Sequence, residues 1–236
     1  MSNLTPSNRF IFRKIYSRRL CTQNKYKFFG IPVKEKCVDD GFDIPDEPIY
    51  DKSDCDNVIR IIVEEAGKEY FHPVSPYEIA EKLEEIPVEF LKGLKAIRLC
   101  SITRKKKIFY RFGMYLSENI YLYPFSNDLK LAISDTKPKP SMTIEFEKFC
   151  GRWVFENGFW YLEFDKDSLK NFYLNNVLIH EIAHHYDRAS KEKDRESFAD
   201  NFVIQFNKGE FSNKFEKSQI KTKIIFVNNN KIVSHR

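Results

Sequence analysis

The stretch His180-Glu181-Ile182-Ala183-His184 contains the most informative spacing in this chain. Residues four apart lie on the same face of an α-helix, so His180 and His184 can present two imidazoles to one metal ion. Glu181 follows the first histidine directly, which places its carboxylate near that ion but angled away from it. A carboxylate in this position can take a proton from a water that the ion activates. The pattern H-E-x-x-H therefore predicts a zinc site with a general base beside it.

The residues around this motif favour a helix that buries one side. Positions 169–188 contain neither Gly nor Pro, and Asp167 and Ser168 are suitable cap residues at the start. The apolar residues that recur at helical spacing are Phe172, Leu178, Ile179, Ile182 and Ala183. The helix is therefore expected to offer one side to a core and the side with the two motif histidines to an ion.

A second segment, Glu196-Ser197-Phe198-Ala199-Asp200, predicts the rest of the site. Its apolar residues continue at helical intervals as Phe198, Ala199, Phe202, Val203 and Phe206. Glu196 and Asp200 are four apart and share one face of this second helix. A carboxylate ligand from this face would complete a three-ligand site with one open position. A neighbouring acid would hold a ligand histidine by its other ring nitrogen.

H-E-x-x-H followed by E-x-x-x-D resembles the gluzincin class of zinc metallopeptidases. The likeness is closer to the catalytic domain of anthrax lethal factor and its relatives. There an Asp stands three residues after the second His, as Asp187 does here, and the next helix carries E-x-F-A and an acid. The compact ImmA/IrrE-type intracellular metallopeptidases are also similar, and the resemblance covers about residues 177–206. It implies a complete set of site residues: His180, His184 and Glu196 as zinc ligands, Glu181 as general base, and Asp200 as the acid that supports a ligand.

The chain departs from the lethal factor pattern in two ways. The linker from His184 to Glu196 is short, so the chain must reverse within about residues 189–194. The Tyr that assists the oxyanion in that family has no counterpart, because its position falls near Ala189. Other donors lie nearby in the sequence, and the sequence does not choose among them: Tyr173, Tyr186 and Arg188.

Asp187 and His185 lie beside the motif and need separate interpretations. Asp187 is a surface acid at the end of the helix, a support for a ligand, or a competing third ligand. His185 points about a quarter turn away from the metal face and is not predicted to be a ligand. Two alternatives to a zinc enzyme stay open, namely a coincidental spacing and a folded relative that has lost activity.

Composition bounds the class of protein. A chain of 236 residues suffices for one large domain or for a small domain plus a catalytic one, and its 42% hydrophobic content supports a substantial core. No run approaches the roughly 18 apolar residues of a membrane span. The five cysteines are scattered without a C-x-x-C pair, and no apolar signal region stands near the start. We therefore expect an intracellular protein, cytoplasmic or, with organelle targeting left open, organellar.

The first 55 residues begin with a basic part and continue with an acidic part, and this composition predicts an arm followed by a linker. Residues 1–34 interleave lysines and arginines with aromatic residues and contain no acid, whereas residues 35–56 are rich in Asp. Three interpretations of the basic part remain open. They are a loosely packed arm, a nucleic-acid contact through residues 9–34, and a transit peptide.

Residues 56–210 are predicted to form one α+β domain, followed by a C-terminal tail or hairpin over 211–236. Three helices are expected. The first covers residues 56–70, the second begins at the Ser75-Pro76 cap with Glu78 as the capping-box acid, and the third covers residues 88–94. Strands are expected over residues 97–102, 108–112, 119–123, 143–149, 152–156, 159–164, 223–227 and 231–233. Asn157-Gly158 predicts a tight hairpin, and residues 105–107 the tip of another. The expected fold is zincin-like, a mixed and mostly antiparallel sheet packed on the two site helices, with an N-terminal helical or extended segment.

The sequence predicts a zinc-dependent endopeptidase of the gluzincin type acting on a protein or peptide. A sheet edge just before the motif helix would let an extended substrate add as a strand. The alternative is a nucleic-acid-associated or regulatory protein that works through its basic arm and carries a structural or inactive zinc site.

Overall fold

A computed structural model of the chain describes residues 58–102, 109–187, 195–211, 223–228 and 231–233, together with a short strand at Ile11–Phe12. Its strands in chain order are β1 (Ile11–Phe12), β2 (Val58–Val63), β3 (Tyr70–Phe71), β4 (Ala96–Leu99), β5 (Phe109–Tyr110), β6 (Gly113–Leu116), β7 (Asn119–Leu122), β8 (Phe125–Ser126), β9 (Lys130–Ser134), β10 (Arg152–Glu156), β11 (Phe159–Glu163), β12 (Lys223–Asn228) and β13 (Lys231–Val233). Its helices are α1 (Pro76–Glu84), α2 (Val88–Leu91), α3 (Pro140–Glu147), α4 (Lys166–Phe172), α5 (Leu178–Tyr186) and α6 (Arg195–Asn207). A π-helical turn (Tyr173–Val177) joins α4 to α5. The predicted α+β class is confirmed.

The largest sheet among the described strands has the order β13-β12-β2-β4-β7-β6. The central strands β12, β2, β4 and β7 run parallel to one another, and antiparallel pairs stand only at the two ends. Parallel neighbours need a crossover, which α1 and α2 provide between β2 and β4. The prediction of a mostly antiparallel sheet is therefore wrong for this sheet, although it holds for the separate sheet β10-β11-β9.

The predicted helix over residues 56–70 is wrong, because this stretch contains β2. Its sequence VIRIIV is rich in β-branched residues, and the strand pairs with β12 on one side and β4 on the other. A central strand of a parallel sheet is covered on both faces, so its apolar residues run on instead of alternating. A run of this kind also matches helical spacing, and only the pairing with distant strands distinguishes the two structures.

The predicted strand over residues 143–149 is also wrong, because α3 occupies most of this stretch. The helix has Pro140 in its first turn, where the missing N–H of proline loses no hydrogen bond. Phe146 is buried, and Met142 and Phe149 pack against the same core. These positions are four and three residues apart and so share one helical side.

Several local predictions are confirmed. The Ser75 side chain accepts a hydrogen bond from the Glu78 N–H, and the Glu78 carboxylate accepts one from the Ser75 N–H at the start of α1. Asn157 and Gly158 have φ values of 50° and 81° and join β10 to β11 as a hairpin. The C-terminal hairpin also forms, and its strand β12 pairs with β2, which makes it part of the large sheet.

The predicted motif helix exists, but it begins earlier and is interrupted. Asp165 is the cap, and its carboxylate accepts a hydrogen bond of 2.8 Å from the Ser168 N–H, so Asp167 and Ser168 are not the cap residues. The π-helical turn follows at Tyr173, whose hydroxyl donates to the Tyr123 carbonyl oxygen at 2.7 Å. This buried contact ties the start of α5 to the end of β7.

Some predictions fall outside the described residues. These are the basic arm and acidic linker over residues 1–55 apart from β1, the hairpin tip over 105–107, and the chain reversal over 189–194. The nucleic-acid alternative depends on residues 9–34 and belongs with them. Within the described part of the chain, no helix has the length and apolar character needed to cross a membrane.

Candidate metal centre

Two helices and one strand position the candidate site. α5 carries the H-E-x-x-H motif and packs against β6, while α6 packs along α5. The contact of α6 with the core is aromatic, since the rings of Phe202 and Phe90 meet edge to face with centroids 4.9 Å apart. Ala199 and Val203 are buried on the same side of α6. With this side in the core, the helix can direct Glu196 and Asp200 towards α5.

The two imidazoles and the Glu196 carboxylate converge on one point. The Nε2 atoms of His180 and His184 are 3.1 Å apart. The carboxylate oxygens of Glu196 lie 3.4 Å from His180 Nε2 and 3.6 Å from His184 Nε2. Ligand atoms around a tetrahedral zinc ion, with bonds of about 2.0–2.1 Å, are about 3.3 Å from one another. The three side chains therefore fit a metal ion, and no other such group occurs among the described residues.

Asp200 stands behind one of these imidazoles. Its Oδ1 is 3.3 Å from His180 Nδ1, on the side of the ring away from Glu196. A carboxylate that accepts the Nδ1 proton leaves the lone pair on Nε2, where a metal ion would need it. The structure thus brings Asp200 to the position that the E-x-x-x-D spacing predicts.

Without a metal ion, the two histidines have opposite tendencies to ionise. Burial lowers the pKa of His180, but the carboxylates of Asp200 and Glu196 more than offset this and raise it to about 10. Burial and the charge of His180 lower the pKa of His184 to about 4. One imidazolium is thus held against two carboxylates, so a metal ion would replace a proton at His180.

The side chain of Glu181 extends from α5 towards β6 and is buried there. Only 2% of its surface is exposed, and burial raises the pKa of its carboxyl group to about 7. The positive charge of His180 and a hydrogen bond from the Tyr115 backbone N–H act in the opposite direction. A carboxyl group whose pKa lies near neutrality can both accept and return a proton, as a general base requires.

Comparison with protein-family models, with curated proteins and with solved structures returns no match. The interpretation of the site therefore depends on its own geometry.

His185 links α5 to other elements through contacts that its sequence position does not predict. His185 is buried, with Nε2 3.1 Å from the Lys92 carbonyl oxygen and Nδ1 3.3 Å from the Tyr115 hydroxyl. Its ring meets the Tyr115 ring edge to face at 5.4 Å. His185 faces away from the ligand group, as predicted, and it joins α5 to β6 and to the loop after α2.

β6 itself is absent from the predicted strands. The turn that joins it to β7 has positive φ at Ser117 (49°) and Glu118 (65°), a conformation usually found with Asn or Gly. Contacts from outside the turn support it, including a hydrogen bond of 2.8 Å from the Lys95 N–H to the Glu118 carbonyl oxygen. The sequence does contain a signal for this hairpin, because two short apolar runs at 114–116 and 120–122 are separated by polar residues.

The remaining described candidates near the motif are not part of the group of three ligand residues. Tyr173 is engaged with Tyr123, and Tyr186 packs edge-on against Phe90 with 48% of its surface exposed. Asp187 ends α5 outside the ligand group, and its buried Oδ2 has no hydrogen-bond partner in the described structure. Arg188 lies outside the described residues.

Proposed function

We propose that this protein is a zinc-dependent endopeptidase that hydrolyses peptide bonds of an intracellular protein. The observation that carries the proposal is the convergence of two imidazoles and a carboxylate from two helices, with a buried second carboxylate one residue from the first ligand. Zinc is the proposed metal because two His and one Glu, with the His pair in an H-E-x-x-H motif, are the ligands of one class of catalytic zinc site. The zincin-like fold is part of the same proposal.

His180, His184 and Glu196 would hold the ion, and Asp200 would orient the first imidazole. A bound zinc ion supplies Lewis-acid chemistry, polarising a carbonyl group and lowering the pKa of water. The ligands are 12–14% exposed at their side chains, so the site is reachable from solvent. Three protein ligands leave a position open for reactants, as catalytic zinc sites require.

Glu181 would carry the proton during hydrolysis. Its carboxylate accepts a proton from the attacking water and then donates it to the nitrogen of the leaving amine, so that the peptide bond breaks without releasing an unstable amide anion. Burial limits the access of other water to this carboxyl group and, in the metal-free protein, raises its pKa to about 7.

The place of β6 supports a peptide as the substrate. Among the described strands, β6 is at the edge of the large sheet, and it is the strand on which the motif helix packs. An extended peptide can add to such an edge through main-chain hydrogen bonds. The hairpin before the motif helix, which the sequence offers equally as a substrate edge or as an ordinary paired sheet, belongs to the separate sheet with β9.

The cysteines agree with the proposed intracellular location. Cys100 is buried and Cys150 is exposed, and neither forms a disulfide bond with another cysteine in the described part of the chain. An exposed free thiol is typical of a reducing compartment.

The proposal is tested by metal content and cleavage together. Elemental analysis of the zinc-loaded protein is expected to give about one zinc per chain, and mass spectrometry of a proteome-derived peptide library should show chelator-sensitive cleavage. His184→Ala and Glu196→Ala should lose both, since each removes a ligand. Glu210→Ala, an exposed carboxylate after α6, is the matched control and should keep both.

Two results would contradict the proposal in different ways. Full zinc content in Glu196→Ala would assign the third ligand to Asp187 or Asp200. Full zinc content in the wild type without any cleaved peptide would leave a metal-binding protein that is not a peptidase.

A further inference from the structure

We infer that Gly113 is a positioning residue for Glu181. The absence of a side chain at this place in β6 leaves the space in which the carboxylate of the general base is held. The catalytic meaning of this inference rests on the proposed function, whereas its structural part concerns only the contact between β6 and α5.

The first observation is the space around Gly113. A Cβ atom built on this residue would lie 2.9 Å from Glu181 Oε1, 3.0 Å from Glu181 Cγ and 2.7 Å from Val177 Cγ1. Carbon atoms of real side chains do not approach their neighbours so closely. Gly113 is not among the glycines with positive φ, so the backbone conformation would accept another residue. A side chain at this position would therefore force Glu181 or Val177 to move.

The second observation is the direction of the β6 backbone. The Tyr123 N–H donates to the Phe112 carbonyl oxygen at 2.9 Å, so these residues form a hydrogen-bonded pair just before β6. Such pairs alternate along an antiparallel ladder, so the backbone polar groups of Gly113 and Tyr115 point away from β7. On that outer side the Tyr115 N–H donates to the Glu181 carboxylate. Two alternate residues of the strand thus lie against Glu181. Gly113 leaves space for its side chain, and the Tyr115 N–H donates a hydrogen bond to its carboxylate.

The third observation is that neither Val177 nor the backbones of α5 and β6 can move easily to make room for a side chain at position 113. Val177 is buried in the π-helical turn, which the Tyr173 hydroxyl ties to β7. His185 links α5 to Tyr115 and to Lys92, and so fixes the distance between helix and strand. A methyl group at position 113 would therefore displace the Glu181 side chain more readily than that of Val177, because Glu181 has several torsion angles and the branched valine has a single stiff one.

The kinetic test compares two glycines. In Gly113→Ala, kcat should fall by about 10²-fold with KM and zinc content unchanged, because the base is displaced while the ligands are not. Gly151→Ala is the matched control. Its Cβ would meet the Phe146 carbonyl oxygen and the Phe164 ring at 3.0 Å, in a core contact that does not include Glu181. This control should be destabilised to a similar degree without losing turnover.

A second readout does not depend on activity. Hydrogen exchange of the Tyr115 amide in the metal-free protein should accelerate by about tenfold in Gly113→Ala and in Glu181→Ala, because both remove its acceptor. Exchange should be unchanged in Gly151→Ala. If Gly113→Ala does not fold, the double variant with Val177→Ala removes the 2.7 Å contact and leaves the one with Glu181 for the same measurements.

The outcomes separate this inference from the proposed function. Wild-type exchange at Tyr115 in Gly113→Ala would overturn the inference, whatever the enzyme does. Faster exchange together with wild-type kcat would show that Gly113 places Glu181 but that Glu181 is not the base, which overturns the catalytic part. Adding Gly113→Ala to Glu181→Gln should cause no further loss of kcat, since both changes act on one group. A further loss would mean that Gly113 acts through another residue.

Discussion

The helical wall of the candidate site, formed by α5 and α6, and the strand wall, formed by β6, contribute in opposite ways. The helical wall supplies side chains that can ionise, and their identities and spacing define the chemistry. The strand wall supplies an amide at Tyr115 and an empty volume at Gly113. The candidate ligand group can therefore be complete on one wall while the position of Glu181, the proposed base, depends on the other.

The largest effect should come from removing the base while keeping the metal. In Glu181→Gln the side chain keeps its shape but can no longer accept a proton, so kcat should fall by at least about 10³-fold. Peptide cleavage assays and zinc analysis on the same sample measure both properties. Glu147→Gln, on an exposed position of α3, is the control and should match the wild type. Equal turnover of Glu181→Gln and wild type would show that Glu181 is not the base and that the helical wall only binds the metal.

The next effect concerns stability against pH in the metal-free protein. Because the folded pKa of Glu181 is raised from 4.5 to about 7, its contribution to the free energy of unfolding is full below pH 4.5 and is lost as the pH rises through 7. The loss is about 3 kcal/mol, at roughly 1.4 kcal/mol for each pH unit in this interval. Glu181→Gln has no such loss, so its stability relative to wild type should increase between pH 4.5 and 8.

Urea denaturation at several pH values measures this difference, with Glu147→Gln again as the control. A constant difference between Glu181→Gln and wild type across this range would mean that water reaches the carboxyl group in the folded state. The strand wall would then not seal the base from solvent.

The smallest effect should come from the residue behind the ligand. Asp200→Asn keeps a hydrogen-bond acceptor near His180 Nδ1 but removes the charge, so zinc affinity should weaken by about 10-fold to 100-fold. Competition with a chromogenic chelator measures the dissociation constant. Asp167→Asn, an exposed acid in the first turn of α4, is the control for loss of charge. Unchanged affinity in Asp200→Asn would show that the helical wall needs only its three ligands.

The features that sequence analysis predicts correctly are those whose physical cause is local. The Ser75 capping box and the Asn157-Gly158 turn are set by hydrogen bonds and steric limits within a few residues. The alignment of His180 with His184 follows in the same way from the repeat of one helix. These features need no knowledge of the remaining fold.

The features that sequence analysis predicts wrongly or misses depend on distant partners. β2 has the composition of a buried element, and it is a strand because β4 and β12 pair with it. β6 is missed because Ser117 and Glu118 occupy a turn conformation that their own preferences do not favour. Contacts with Lys95, which is distant in sequence, stabilise that turn. The Lys95 N–H donates to the Glu118 carbonyl oxygen, and its Nζ is 2.7 Å from Glu118 Oε2.

The sequence by itself determines the pair of imidazoles that can bind one ion, because helical spacing brings His180 and His184 to one face. Only the tertiary structure decides that Glu196 reaches both imidazoles, that His180 and His184 differ in pKa, and that Glu181 lies against Gly113. These properties depend on burial and on the distance between charges from different elements, and neither quantity exists until the chain has packed.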